Sequence, residues 1–203
     1  NPFKMIIDVL DGERPEILDR VEALDFVVFD NGYQYDLNII AERNPNGVAD
    51  RFDDWIHVIY RANDKWNWHA YPCTTDAGDY YLKQHSTTNG TAILCHPQQM
   101  RSVYSVDLHR GHYLALCQRN GPVKIWRDAN RDSIHDMSGE IDEGYFGINI
   151  HQAGRNSTEV GKWSAGCTVL QHQEDFKEFM QLCDMQVRTN GFKFFTYTLI
   201  LGN

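Results

Sequence analysis

The stretch WIHVIYRANDKWNWHAYPC, residues 55–73, decides the fold class. Trp55 to Arg61 is a β-branched and aromatic run, Asn63-Asp64 is a turn signal, and Trp66 to Cys73 resumes the same composition. Runs of this kind fit a pleated, half-buried surface. The pattern repeats toward the C-terminus in Tyr80 to Leu82, Thr91 to Cys95, Val103 to Leu108, Tyr113 to Gln118 and Val123 to Trp126. Asp76-Ala77-Gly78, Asn89-Gly90, Arg110-Gly111 and Asn120-Gly121-Pro122 punctuate it. Many short strands at a spacing of roughly 8–12 residues predict a β-sandwich or open barrel.

Upstream, Pro15 suits a first helical turn, and Ile17, Leu18, Val21 and Leu24 recur at helical spacing. Phe26 to Phe29, Asp30-Asn31-Gly32 and Tyr33 to Ile40 read as a hairpin, and Asn44-Pro45-Asn46-Gly47 as a turn or short linker. In the last third, Tyr145 to His151 reads as a buried strand. Gln173 to Val187 reads as a helix with Glu174 and Asp175 in its first turn, ended by Gly191, and Phe192 to Leu201 as a closing strand. The expectation is a mainly β fold with a helix near each end. Residues 1–50 form an N-terminal helix and hairpin appendage, and 51–203 the main domain.

Nineteen basic and 28 acidic residues in 203 leave a net charge of −9, which removes any global electrostatic reason to bind nucleic acid or anionic lipid. With 42% apolar and 23% charged residues the chain can bury a core and is not a disordered tail. No apolar run approaches the roughly 20 residues of a membrane span. The chain starts Asn1-Pro2-Phe3 without an initiator Met, so it reads as a trimmed or processed product, and the absence of a targeting signal decides little about its compartment. Five cysteines, none in C-x-x-C spacing, argue against a disulfide scaffold and against structural zinc. Most default to small buried hydrophobes.

Cys167 is the exception. In GYFGINIHQAGRNSTEVGKWSAGCTVL, residues 144–170, His151 closes an apolar strand, and Cys167 follows Ser164-Ala165-Gly166 sixteen positions later. Small residues before a cysteine allow a tight turn with backbone N–H groups near the sulfur. A nearby imidazole favours the thiolate, which is the reactive form. The pair therefore makes a candidate Cys/His acyl-transfer site. A backbone carbonyl or Asn149 is the candidate orienting partner for His151.

These residues resemble the L,D-transpeptidase (YkuD-type) catalytic domain, whose motif is a His, an intervening loop and then [S/T]-H-G-C. His151, Ser164, Gly166 and Cys167 match it, and the resemblance extends over roughly residues 55–201. The order His before Cys separates it from papain-like and NlpC/P60 hydrolases. The chain departs from the pattern at Ala165, in place of the second His, at Gln152, where that family often has Gly or Ser, and at Val169, in place of an Arg. Arg155 or Lys162 can replace that charge, and Trp163 adjoins the motif, so these three are the candidate substrate contacts. The resemblance implies a Cys167 acyl-enzyme formed on a peptidoglycan stem peptide, with His151 as base and N–H groups around Gly166 and Cys167 as oxyanion donors. Water or an amine then takes the acyl group, and no cofactor is required. The same string is similar to tailed-phage proteins of virion or cell-wall-degrading type. The implied locations are the cell envelope, the periplasm or a phage virion, and phage tail or virion proteins are candidate partners. Two other readings are a catalytically inactive structural module and a sugar-binding β-domain using Trp55, Trp66, Trp68 and Trp126.

Asp128, Asn130, Asp132 and Asp136 form D-x-N-x-D-x-x-x-D, oxygen ligands at positions 1, 3, 5 and 9 of a calcium-loop pattern. Ser133 stands where that loop has Gly, and Gly139 where it has Glu. The two readings are a structural calcium site and a solvated acidic loop.

Overall fold

The computed structural model describes residues 12–203. Its elements in chain order are α1 (Glu16–Glu22), β1 (Asn38–Arg43), β2 (Asp54–Ala62), β3 (Lys65–Thr74), α2 (Asp79–Lys83), β4 (Thr91–Leu94), β5 (Gln98–His109), β6 (Tyr113–Gln118), β7 (Val123–Asp128), β8 (Asp142–Gly144), β9 (Ile150–Gln152), β10 (Thr168–Leu170), α3 (Gln173–Asn190) and β11 (Phe195–Leu201). Eight strands close a barrel in the order β1-β11-β5-β6-β9-β10-β3-β2, and β4-β7-β8 form a separate three-stranded sheet. The expected mainly β class therefore holds, with α1 and α3 near the two ends, but the barrel is closed by the β1–β11 and β1–β2 pairings rather than being open or a sandwich. The short α2 is an addition. Two pairings in the barrel, β1 with β11 and β9 with β10, are parallel.

Local chemistry explains the strongest elements. β2 and β3 pair in unbroken register from Asp54↔Cys73 to Ala62↔Lys65. Asn63 and Asp64 between them both have positive φ, as a primed hairpin turn demands and as these two side chains tolerate. Along β2, Ile56, Val58 and Tyr60 enter the main core while Ile59 packs with Ile17, Leu18 and Val21 of α1 on the other face. Helix α3 lays Phe176, Phe179, Leu182 and Cys183 against the main core. It ends where Gly191, at φ 71, donates to the Val187 carbonyl.

Three expectations fail for identifiable reasons. Phe26 to Phe29 is not a strand, because side-chain amides occupy its backbone. Gln99 bonds Val27 N and O, and Asn38 bonds Phe29 N and O. Tyr80 to Leu82 lies in α2, not in a strand. The Asp50 carboxylate accepts the Asp79 N–H at 2.7 Å, and the Gly78 carbonyl accepts the N–H groups of Tyr81 and Leu82. The strand expected over Tyr145 to His151 is a ladder only from Ile150. Before it, the buried Gln118 side chain accepts from Phe146 N and Ile148 N and donates to the Gly144 carbonyl. Residues 38–43, grouped by sequence with the N-terminal part, form a strand within the barrel. Three of the four tryptophans that the sugar-binding reading would use are packed. Trp66 and Trp68 join the α1 cluster, and Trp126 meets His96 edge-on.

A buried cation ties the barrel to the small sheet. Arg43, with no exposure, donates to Thr75 Oγ1, Thr75 O and Leu94 O, contacts His96 Nδ1 and pairs with Asp76 at 2.9 Å. Asp54 accepts from Thr75 N and Oγ1 and from Asn44 N. Burial, and then the charge of Asp76, raises its pKa. Removing one member of such a set leaves the others uncompensated. Arg43→Met is expected to cost about 3–5 kcal/mol, read as a lowered urea midpoint.

Candidate active site

β9 and β10 run parallel, with Thr168 opposite Ile150, Val169 opposite His151 and Leu170 opposite Gln152. Ile150 and Leu170 point into the main core. Alternation then directs His151 and Val169 to the other face, where Cys167 clusters with Val169, Ala153 and Phe52. His151 and Cys167 thus come to one face of adjacent strands. The residues between them, 153–167, make the crossover that a parallel pair needs.

The turn before Cys167 is built by Ser164. Its hydroxyl accepts the Gly166 N–H at 3.1 Å and donates to the Cys167 carbonyl at 2.7 Å. The Ser164 carbonyl accepts the Gly78 N–H. Gly166 has φ +129, and a Cβ there would lie 2.7 Å from the Ala92 carbonyl oxygen, so only glycine fits. These contacts make Ser164 a builder of the turn. They also commit the Gly166 N–H, an expected oxyanion donor, to Ser164. The Cys167 N–H makes no hydrogen bond among the described residues. The crossover is pinned by Asp50, whose carbonyl accepts the Val160 N–H and whose carboxylate accepts the Gly161 N–H.

All five cysteines are free thiols. The Cys167 thiol, 9% exposed, donates to the Gly147 carbonyl and accepts the Asn149 N–H, both at 3.4 Å. Among the described residues no hydrogen bond joins its sulfur to His151. Burial pushes this thiol up to about 11, against the opposing effect of the Asn149 N–H. His151 is 4% exposed, and burial, followed by the charge His109 can carry, lowers its pKa to about 3. At rest the site therefore holds a thiol and a neutral imidazole rather than an ion pair.

His151 Nδ1 lies 3.0 Å from the Gln152 carbonyl oxygen. A carbonyl only accepts, so Nδ1 carries the proton and Nε2 is a free base. Tyr113 Oη sits 3.3 Å from the same nitrogen. The orienting partner is thus a backbone carbonyl. Asn149 turns elsewhere, accepting the Gln118 N–H and meeting His109 Nδ1 at 3.0 Å. The His109 ring stacks on His151 with centroids 4.1 Å apart. His109 and Tyr113 were not among the sequence candidates. Their only signal was that they flank the Arg110-Gly111 turn, which delivers both onto β9.

The candidate substrate contacts are spread out. Arg155 borders a pocket of about 430 Å³ with Asn156, His172, Gln173 and Glu174. The Lys162 ammonium lies 4.3 Å from the centre of the Tyr80 ring. Trp163, 47% exposed, packs so closely on Gly154 that a Cβ there would come within 2.3 Å of the indole.

The Asp128 loop is held by its own hydrogen bonds. Asp128 Oδ2 accepts the Asp136 N–H, Asn130 Nδ2 donates to Asp136 Oδ2, Asn130 Oδ1 accepts the Asp132 N–H, and Asp132 Oδ1 accepts the Ile134 N–H. Among the described residues no group of three or more His, Cys, Asp or Glu side chains is placed to hold a metal ion. None of their helices is long and apolar enough to cross a membrane. Comparisons with protein-family models, with curated proteins and with solved structures find no match.

Two outcomes are expected. Ser164→Ala strands a buried N–H and a buried carbonyl, and should cost about 1–3 kcal/mol in urea unfolding. The second concerns pH. His151 titrates in the folded protein at about 3, below its ordinary 6.5. The unfolded chain therefore binds the proton first, and stability is fully present above about pH 6.5 and falls as pH drops toward 3. His96, lowered to about 4 mainly by burial, adds in the same direction. His151→Phe should flatten the dependence of the urea midpoint on pH across this window.

Proposed function

We propose that the chain is a cysteine acyltransferase, a peptidoglycan stem-peptide hydrolase or L,D-transpeptidase with an L,D-transpeptidase-like fold. The observation that carries this reading is the parallel β9–β10 pairing. It brings His151 and Cys167 to one face, with the imidazole Nδ1 committed to the Gln152 carbonyl and Nε2 bare. In the reaction the thiol turns from the Gly147 carbonyl and passes its proton to His151 Nε2. The sulfur forms a bond to the peptide carbonyl carbon, and the Cys167 N–H meets the oxyanion. The C–N bond breaks as the imidazolium returns the proton to the leaving amine. Water gives hydrolysis and a second amine gives a cross-link. The substrate class comes from the motif resemblance, and Arg155, Lys162 and Trp163 are the proposed contacts to it. Peptidoglycan is the proposed partner, in the cell envelope or met by a phage virion.

A second reading, a catalytically inactive structural or virion module, draws support from the Cys167 thiol. That thiol is buried, bonded to Gly147 and raised in pKa. One experiment separates the two. Wild type incubated with a carbapenem should gain the mass of one acyl adduct, which Cys167→Ala abolishes and which His151→Gln slows by about 10²–10⁴-fold. Wild type labelling no faster than Cys167→Ala leaves the structural reading. No cofactor enters these steps. A calcium ion in the Asp128 loop would brace the chain between β7 and β8, and it predicts a melting temperature that falls with EGTA and does not fall further in Asp128→Ala.

A further inference from the structure

The proton positions of the two stacked imidazoles follow from their neighbours. The Gln118 N–H donates to Asn149 Oδ1 at 3.0 Å, which identifies that atom as the oxygen of the amide. The group that meets His109 Nδ1 at 3.0 Å is therefore the Asn149 NH₂. It can only donate, so His109 Nδ1 must accept, and the His109 proton sits on Nε2. His151 has the opposite arrangement, with its proton on Nδ1 toward the Gln152 carbonyl and Nε2 bare. The two rings lie 21° from parallel with centroids 4.1 Å apart.

We infer that His109 is a positioning residue for His151, locked by Asn149 in its neutral, Nε2-protonated form and clamping the His151 ring with Nε2 bare. This rests on the acyl-transfer reading of Cys167 and His151 and says how that site keeps its base. The clamp is made by the tip of the β5–β6 hairpin. Arg110 and Gly111 adopt positive φ, and the His112 N–H bonds the His109 carbonyl, so the tight turn fixes His109 and Tyr113 side by side over β9. Protonating His109 on Nδ1 would set an N–H against the Asn149 NH₂. Protonating both rings would set two like charges about 4 Å apart.

The charged and titratable groups around the pair act in a consistent direction. From the hairpin, Arg110, Arg119 and His112 bear on His109, and its pKa is lowered, first by burial and then by these charges. His151 meets His109 and Arg110 from β5 and its turn, Tyr113 from β6, and the Gln152 carbonyl, which alone favours its cation. Cys167 lies on the same face from the turn before β10.

Histidine ¹⁵N spectra of the whole chain test this without any turnover. At pH 7 wild type should show His109 as the Nε2–H and His151 as the Nδ1–H tautomer. Asn149→Asp offers His109 Nδ1 an acceptor, so the His109 proton should move to Nδ1 and its titration midpoint rise by about one unit or more. His109→Phe keeps a flat ring against His151, so the His151 tautomer should persist. His109→Ala removes the clamp and should leave His151 exchanging between tautomers, and His109→Gln serves if the alanine variant does not fold. An Nδ1–H tautomer for His109 in wild type, or a His151 spectrum unchanged by loss of the ring, overturns the inference. Failure of carbapenem labelling would sink the acyl-transfer reading and leave these tautomers as they are.

Discussion

Closure of the barrel is the constraint on which the rest depends. An open sheet leaves two edges of unpaired N–H and C=O groups, and a closed one leaves none. Here closure needs two parallel pairings, β1 with β11 and β9 with β10. Parallel neighbours cannot be joined by a tight turn, so each pair needs a long connection. Between β1 and β11 that connection is most of the chain. Between β9 and β10 it is the single segment 153–167, which leaves β9 just after His151 and ends on Cys167. The spacing that marks the motif in the sequence is thus the length of a crossover.

A crossover without its own helix or strand must be held from outside. Asp50 bonds Val160 and Gly161, and Gln171 and Gln173 donate to the Ser157 and Ala153 carbonyls, while within the segment Trp163 packs on Gly154. The same Asp50 carboxylate accepts the Asp79 N–H at the start of α2, and the Ser164 carbonyl accepts the Gly78 N–H. The segment after β3 and the turn before Cys167 are therefore one assembly. It starts from the strand end where Thr75 and Asp76 hold the buried Arg43. Packing of the core, the buried ion cluster and the candidate nucleophile are connected through a few short hydrogen bonds.

Strand composition and turn chemistry were legible in residues 55–73 and 113–118, which reverse at Asn63-Asp64 and Arg110-Gly111, and apolar composition alone marked 195–201, a strand buried on both faces. Composition failed where side chains take the role of a partner strand. Phe26 to Phe29 has the composition of a strand, yet its backbone bonds go to Asn38 and Gln99. Tyr145 to Ile148 likewise depends on Gln118. No local pattern announces that a glutamine far along the chain will satisfy a backbone amide.

By itself the sequence determined the fold class, the helix capped by Gly191, and the candidacy of His151 and Cys167, all of which depend on residue type and on spacing along the chain. Tertiary structure alone decided which groups surround that pair. His109 and Tyr113 arrive from a hairpin some forty residues upstream, Ser164 becomes a builder of the turn, and Asn149 turns from His151 to His109. The physical reason is that a hydrogen bond is settled by direction and distance in space. The sequence specifies donors and acceptors, and only barrel closure brings β5, β6, β9 and β10 into a register that pairs them.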